Sequence, residues 1–243
     1  VDGVTYTTIK AEDVLARVEA HIQCTLVRIG NALHRQTTGI PQGSILSTLL
    51  CNLVLADAER TYLSIDEDED CLLRFTADFL FVSPSYQRAY DVCQALHRGF
   101  PQHGCRIAPE KSLVNFDACL PTGHVVRRLA AHTPFPWCGI CIDPTTLAIQ
   151  PDTQRYPRHM GDTLTVRAAG LTSMLVHAMH PRAAAVYTDT HLNTPYGVYT
   201  NLLEGFVFAA AKLRVFMRHM PFAYAPPVMR AIVHAVRLTW NMI

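Results

Sequence analysis

The sequence predicts an α+β unit followed by an all-helical part, and three observations carry this. Short β-type runs pair off around tight turns between Thr25 and Ile149. Helical apolar patterns separate those runs. Past about Asp152 the strand patterns cease, and helical segments broken by Pro181, Pro195, Pro221 and Pro226-Pro227 take over.

Taken in order, Val14, Leu15, Val18 and Ile22 have helical spacing between Glu12 and Cys24. Thr25–Ile29 and Ala32–Gln36 flank Gly30-Asn31, a two-residue hairpin turn. Arg28 and Arg35 on that hairpin read as decoration of a wet sheet face more readily than as backbone contacts. Ser44 to about Leu63 reads as one helix with Ser44 as N-cap. Its polar Asp57, Glu59 and Arg60 come late, so its first turns are expected to be buried. Leu72–Phe75 and Phe79–Val82 form two apolar β-type runs around Thr76-Ala77-Asp78, a hairpin with Asp78 at its tip. The next helix, Ser85 to Phe100, has Ala89, Val92, Cys93, Leu96 and Phe100 inward, and is expected to stop at Pro101 and Gly104. Cys105–Ile107 and Leu113–Phe116 are strand-like, with Lys111 on the turn between them. Residues 117–134 read as a variable connection. Phe135–Ile142 and Leu147–Ile149 suggest a hairpin around Asp143-Pro144. The clearest later helices are Leu202–Met220 and Val228–Trp240, and a boundary is expected near 150–160.

Of 243 residues, 49% are hydrophobic and 17% charged, enough for a well-buried core and too apolar for a disordered chain. No apolar run reaches the roughly 18 residues of a membrane span, so no membrane partner is expected. The chain opens Val1-Asp2-Gly3 without an initiator Met or a signal-peptide pattern, and reads as a piece of a longer intracellular protein. All eight cysteines lie between Cys24 and Cys141 in apolar segments, which favours reduced thiols over disulfides. Cys138-Gly139-Ile140-Cys141 is a C-x-x-C without a second pair at ligand spacing, which argues against zinc or redox chemistry. Residues 1–144 carry 12 Lys/Arg against 16 Asp/Glu, a net −4, and residues 145–243 carry 9 against 4, a net +5. The acidic excess sits largely in Asp66–Asp70, a solvated loop; the basic second part suits a phosphate backbone.

The stretch Thr38-Gly39-Ile40-Pro41-Gln42-Gly43-Ser44 leads into the long helix. Its small residues and the N–H groups of a helix start suit close approach by a phosphate, sugar or base edge. Followed by Leu72–Val82, Ala108–Phe116 and Phe135–Ile140, it resembles, in order and spacing, motifs B′, C, D and E of a reverse transcriptase. The wording Gly39–Cys51, Val114-Asn115-Phe116 and Phe135-Pro136-Trp137-Cys138-Gly139 is similar to telomerase reverse transcriptases. A retroelement or group II intron polymerase fits Phe75 but not Phe135–Gly139.

The resemblance implies a palm in residues 1–150, helices on an antiparallel sheet, and an all-α thumb or C-terminal extension in 151–243. It implies a nuclear ribonucleoprotein enzyme that extends telomeric DNA 3′ ends on an RNA template. Its partners would be the RNA–DNA hybrid, the telomerase RNA and the rest of the reverse transcriptase. Such polymerases use two Mg²⁺ ions, one activating the primer hydroxyl and one clamping the triphosphate, and Mg²⁺ takes carboxylate oxygens. Asp78 is implied as catalytic residue and metal ligand. Ala77 stands where the family has its principal metal-binding Asp, and motif A is missing. One carboxylate does not make a two-metal site, so the chain alone is expected to be inactive. Ala77 is either an engineered substitution or the mark of a relative that lost activity.

By the same resemblance, Gln42 and Gly43 contact the template or incoming nucleotide. Lys111 stands near the leaving pyrophosphate, although alone it reads as an exposed turn lysine. Trp137, Cys138 and Gly139 match the primer grip, although a Trp in an apolar hairpin is usually core. Arg155, Arg158, Arg167, Lys212, Arg214 and Arg218 are candidates for hybrid contact on the thumb, with a solvated face as the alternative. His177 and His180 have no sequence partner for a metal site. The rival reading is a non-catalytic scaffold of the same fold that binds hybrid or a protein.

Overall fold

Helix α1, Ala11–Gln23, opens the computed structural model, which describes residues 8–153, 185–218 and 225–240. The expected hairpin follows, β1 (Leu26–Ile29) against antiparallel β2 (Ala32–Arg35), with Gly30 in the left-handed region that its turn requires. Arg28 is exposed and its Nε donates to the Gly30 carbonyl, so it braces the turn.

Helix α2 spans Ser47–Tyr62 rather than starting at Ser44. Residues before it are folded as turns instead. The Leu46 N–H donates to Ser44 Oγ at 3.3 Å, and Ser47 Oγ donates to the Pro41 carbonyl. Ser44 is thus spent on the loop, and the helix begins with no side-chain cap. The expectation of buried first turns is also corrected: Ile45 just before the helix and Leu49 and Leu53 on it are exposed, and only Leu55 and Ala58 of α2 are buried.

Strands β3 (Cys71–Phe75) and β4 (Asp78–Val82) form the second hairpin, with Phe75 opposite Asp78. Helix α3, Tyr86–Arg98, is capped by Ser85, whose Oγ accepts from the Arg88 N–H. Its stop is Gly99 and not Pro101. Gly99 has φ +76°, and a Cβ there would meet the Cys105 carbonyl at 2.8 Å. Pro101 instead opens a short 3₁₀ turn ending at left-handed Gly104. Phe100 and Cys105 exchange backbone hydrogen bonds, which turns the Phe100 ring inward. The core joins Leu55, Ala58, Leu63, Val92 and Phe100, with Leu72, Phe79 and Phe81 of the hairpin packed against it. Inward-facing apolar residues from two helices and one hairpin face are what hold these elements together.

The acidic stretch is not simply solvated. Arg88 reaches Glu69, Asp70 and Asp66 at 2.6, 3.0 and 3.7 Å, so α3 carries a cation around which loop 66–70 folds. Burial pushes the Asp70 carboxyl up, but hydrogen bonds from Ser83, the Asp66 N–H and Arg88 outweigh it and hold the group below its ordinary 3.8. A depressed native value stabilises above the unfolded value and is lost as pH falls through the native one. Acidification below 3.8 is therefore expected to free loop 66–70 before α3 melts, seen as faster amide exchange in the loop alone.

The chain forms two compact units, Val1–Ile107 and Ala108–Ile243. In the second, β5 (Leu113–Val114) pairs in parallel with β6 (Arg127–Arg128). The connection between them has a bridge and buried residues of its own. Cys119 bridges Val125, the Val126 N–H donates to the Ala118 carbonyl, and Ala118, Leu120 and Val126 are buried. Cys105–Ile107 forms no strand beyond the Cys105 bridge.

Strands β7 (Phe135–Trp137), β8 (Ile140–Ile142) and β9 (Ile149–Pro151) make a three-stranded antiparallel sheet. Asp143 organises the β8–β9 turn by accepting from Thr145 and Thr146 N–H at 2.8 Å each. Those bonds hold its carboxyl below the usual range.

Short helix α4 (Ala185–Thr188) and the long α5 (Pro195–Arg218) follow, then α6 (Ala225–Trp240). Pro195 opens α5 from its first turn instead of breaking a helix. Two buried asparagines tie these helices to the sheet. Asn193 Oδ1 accepts the Ile149 N–H while its Nδ2 donates to Val186 and Asp189 carbonyls. Asn201 Nδ2 donates to the Ile149 and Tyr187 carbonyls. Both outward backbone groups of Ile149 are thereby satisfied without a further strand. An α+β chain with antiparallel sheets is what the sequence predicts. The expected start of the helical part, near 150–160, falls inside the second unit at the edge of the described residues.

Candidate functional site

The candidate residues divide between the two units. Gln42, Gly43 and Asp78 belong to the first; Lys111, Trp137, Cys138, Gly139, Lys212, Arg214 and Arg218 belong to the second. Arg155, Arg158 and Arg167 lie outside the described residues.

Loop 38–46 presents Gln42 and Gly43 to solvent. Gly39 and Gly43 have φ +77° and +85°, so the backbone itself requires glycine there. A Cβ at Gly43 would meet nothing within 4 Å in this chain. The loop is anchored behind by Ser44 Oγ, 2.7 Å from His21 Nε2 on α1.

The β3–β4 turn consists of Thr76, left-handed at φ +57°, and Ala77; Asp78 is the first residue of β4 and is exposed. Directly paired residues of an antiparallel hairpin share a face. Asp78 thus shares its face with Phe75 and Leu73, both exposed, while Arg74, opposite Phe79, points to the other face. There the guanidinium meets Asn52 and Glu59 of α2 and returns to the Thr76 carbonyl. Reading the sequence missed this cluster. The available signal was a single cation inside the apolar run Leu72–Phe75.

The pair of magnesium ions implied by the resemblance can be tested on the donor set. Asp78 offers one carboxylate, and Ala77 beside it offers a methyl group. Among the described residues no group of three His, Cys, Asp or Glu is placed to hold a metal. These residues do not fit a two-metal centre, and no catalytic step is derived through one.

Lys111 ends a 3₁₀ turn, Pro109–Lys111, and is exposed, on a turn as the sequence predicts. Trp137 ends β7 half-buried, its Nε1 covered and meeting no acceptor among the described residues. Cys138 and Gly139, at φ +49° and +90°, form the two-residue turn between β7 and β8. Left-handed conformation at both positions suits the twist of the flanking strands. The Asp152 N–H donates to the Gly139 carbonyl at 3.0 Å and pins the turn. Burial and the neighbouring Asp152 charge push the Cys141 thiol up to about 11. A thiol held that high is a poor thiolate at neutral pH, which disfavours nucleophilic or ligand chemistry at Cys141.

On α5, Arg214 and Arg218 are exposed one turn apart and share a face. Lys212 is different: it is half-buried, its Nζ lies 4.7 Å from the Phe208 ring centroid, and burial lowers its pKa. No helix among the described residues is long and apolar enough to cross a membrane.

Residues 5–142 match the family described as "Reverse transcriptase (RNA-dependent DNA polymerase)". The telomerase reverse transcriptase of Canis lupus familiaris is 34% identical over 206 residues, 81% of this chain and 18% of that protein. Its counterpart in Bos taurus is 32% identical over 210 residues, 83% of this chain and 19% of that protein. The one in Oryza sativa subsp. japonica is 30% identical over 239 residues, 90% of this chain and 19% of that protein. The chain thus spans about a fifth of the length of these relatives. Among solved structures, telomerase from Candida albicans with a fragment of telomeric RNA superposes with TM-score 0.60 at 14% identity, covering 93% of this chain and 33% of that one. Apo telomerase from Candida tropicalis superposes with TM-score 0.52 at 16% identity, covering 98% and 37%. At these identities the superpositions speak to the fold.

Proposed function

This chain belongs to the reverse transcriptase family, and from that premise we propose that it is the later palm and the thumb of a telomerase reverse transcriptase. In the complete protein, a nuclear ribonucleoprotein using magnesium, this part holds the RNA–DNA hybrid while telomeric 3′ ends are extended on an RNA template. The observation that carries the reading is the similarity to telomerase reverse transcriptases across four-fifths of the chain. Its motifs support it: a glycine-shaped loop presents Gln42 and Gly43, a hairpin turn leads to Asp78, and a pinned turn carries Cys138-Gly139 beside Trp137. The palm would end near residue 150 and the thumb would follow.

The chain by itself is proposed to be inactive, because Asp78 stands beside Ala77 and without the second carboxylate that two-metal transfer needs. Lys111 would neutralise leaving-group charge in the complete enzyme. Arg214 and Arg218 would track phosphates, which requires cations but no particular base. A scaffold of the same fold, non-catalytic throughout, is the second reading, and Ala77 is the observation that favours it.

Titrating the chain with a short RNA–DNA hybrid bearing a recessed DNA 3′ end tests the proposal. Binding should weaken linearly in log salt, with a slope near −0.9 for each phosphate neutralised in a B-form duplex and of similar size here. Arg214→Gln should make that slope shallower by about one. Trp137→Ala should weaken binding further. Absence of binding at low salt would sink the idea that this chain holds hybrid unaided.

A further inference from the structure

We infer that Arg74 is the positioning residue that fixes the turn leading to Asp78 relative to helix α2. The guanidinium is only 13% exposed, and its partner Glu59 19%. All three nitrogens of its fork have partners. Nε donates to Glu59 Oε1, Nη1 donates to Asn52 Oδ1 at 2.6 Å and to the Thr76 carbonyl at 3.0 Å, and Nη2 lies 3.4 Å from the Asn52 carbonyl. Three of these contacts reach α2 and one reaches the turn.

The register explains why an arginine does this. Asp78 and Phe75 occupy one face of the hairpin, Arg74 and Phe79 the other. Arg74 therefore meets the turn through the backbone, at Thr76, from the face opposite Asp78, whose own end of the hairpin is exposed at Phe75 and Asp78. Its charge is met by Glu59, so it is not a spare cation for a phosphate. Thr76 has left-handed backbone at φ +57°, a conformation that a non-glycine residue holds only when its surroundings impose it. A fork that spans Asn52, Glu59 and Thr76 imposes it. A lysine, with one nitrogen on a flexible stem, cannot span all three. Helix α2 is the same element that loop 38–46 enters, so the clamp relates the exposed Gln42–Gly43 loop to the exposed Asp78 strand within one unit.

The functional weight of that position rests on the polymerase reading above, whereas the clamp itself is testable without it. Amide exchange in the 243-residue chain should be compared between the hairpin, 71–82, and helix α3, 86–98. Arg74→Ala should speed exchange at Phe75–Asp78 about tenfold, as expected for loss of charge-assisted bonds, with α3 unchanged. Arg74→Lys should not restore slow exchange. Asn52→Ala, which removes one contact and leaves Glu59 paired, should give a smaller effect at the same amides. This milder variant keeps the test valid should Arg74→Ala not fold. Equal acceleration of hairpin and α3, no acceleration, or full rescue by lysine would overturn the assignment in favour of a general ion pair. Hybrid binding is measured separately: its absence would remove the polymerase reading and leave the exchange result standing.

Discussion

Phe100→Ala is expected to cost the first unit about 3–5 kcal/mol, the range for emptying a buried phenylalanine site. Phe100 is 2% exposed and is the one aromatic among the five buried residues of that core. Its ring stacks on Tyr62 of α2 with centroids 5.3 Å apart and meets Phe79 of β4 edge-on at 6.4 Å. It is fixed from both sides, by left-handed Gly99 before it and by the mutual backbone bonds with Cys105 after it. With its own backbone held in place, Phe100→Ala leaves a void under Tyr62 and Phe79 that the main chain at residue 100 cannot move to fill. Both tryptophans lie in the second unit, so fluorescence would miss the change. Amide exchange in α2 and α3 is the measurement. A cost below about 1 kcal/mol would show that the core is looser than these contacts imply.

Asn193→Ala should cost about 2–4 kcal/mol in the second unit, because it orphans several buried backbone groups at once. The residue is 3% exposed, and its amide serves the Ile149 N–H and the Val186 and Asp189 carbonyls together. Asn193→Asp is an informative companion. It keeps an acceptor for Ile149 but turns a carboxylate toward two carbonyls, so burial raises its pKa above the unfolded value of about 4. The sign follows: the variant is least destabilised below about pH 4, where the group is neutral in both states, and loses stability as pH rises. Denaturant unfolding followed by Trp137 fluorescence in a Trp240→Phe background reports this sheet directly. Asn201→Ala acts on the same Ile149 and should combine non-additively with Asn193→Ala.

Much of the fold is legible in the sequence where local chemistry and tertiary contacts agree. Gly30-Asn31 between β-type runs, Ser85 before an amphipathic pattern, and Asp143-Pro144 before Ile149 each produce the expected element. The misreadings fall where tertiary contacts override the local signal. Ser44 has the chemistry of a helix cap, yet its hydroxyl is taken by His21 and the Leu46 N–H, so α2 begins at Ser47. Pro101 reads as a stop, but Gly99 had already ended the helix because the chain must pass Cys105 closely. The apolar first turns of α2 suggested burial, yet Ile45, Leu49 and Leu53 are exposed. Apolar composition indicates that a surface seeks cover, not which piece of chain supplies it. For the candidate site, sequence locates the loop at Gln42–Gly43, the turn before Asp78 and the turn at Cys138–Gly139. It is silent on Arg74, whose α2 partners lie 15 and 22 residues away, and on the two asparagines, whose partners lie up to 52 residues away.

The parallel pairing of β5 with β6 has a kinetic consequence. Among the described residues every other strand pair joins neighbours across a tight turn or short loop, from Leu26↔Arg35 to Ile142↔Ile149, so those ladders can zip as soon as their turn closes. Leu113↔Arg127 and Val114↔Arg128 cannot, because the segment between them must first fold back over its own bridge at Cys119 and Val125. The loop-closure entropy of that segment falls due before any reward arrives. This pair is therefore expected to be the last ladder to form as the chain refolds and the first to open as it relaxes.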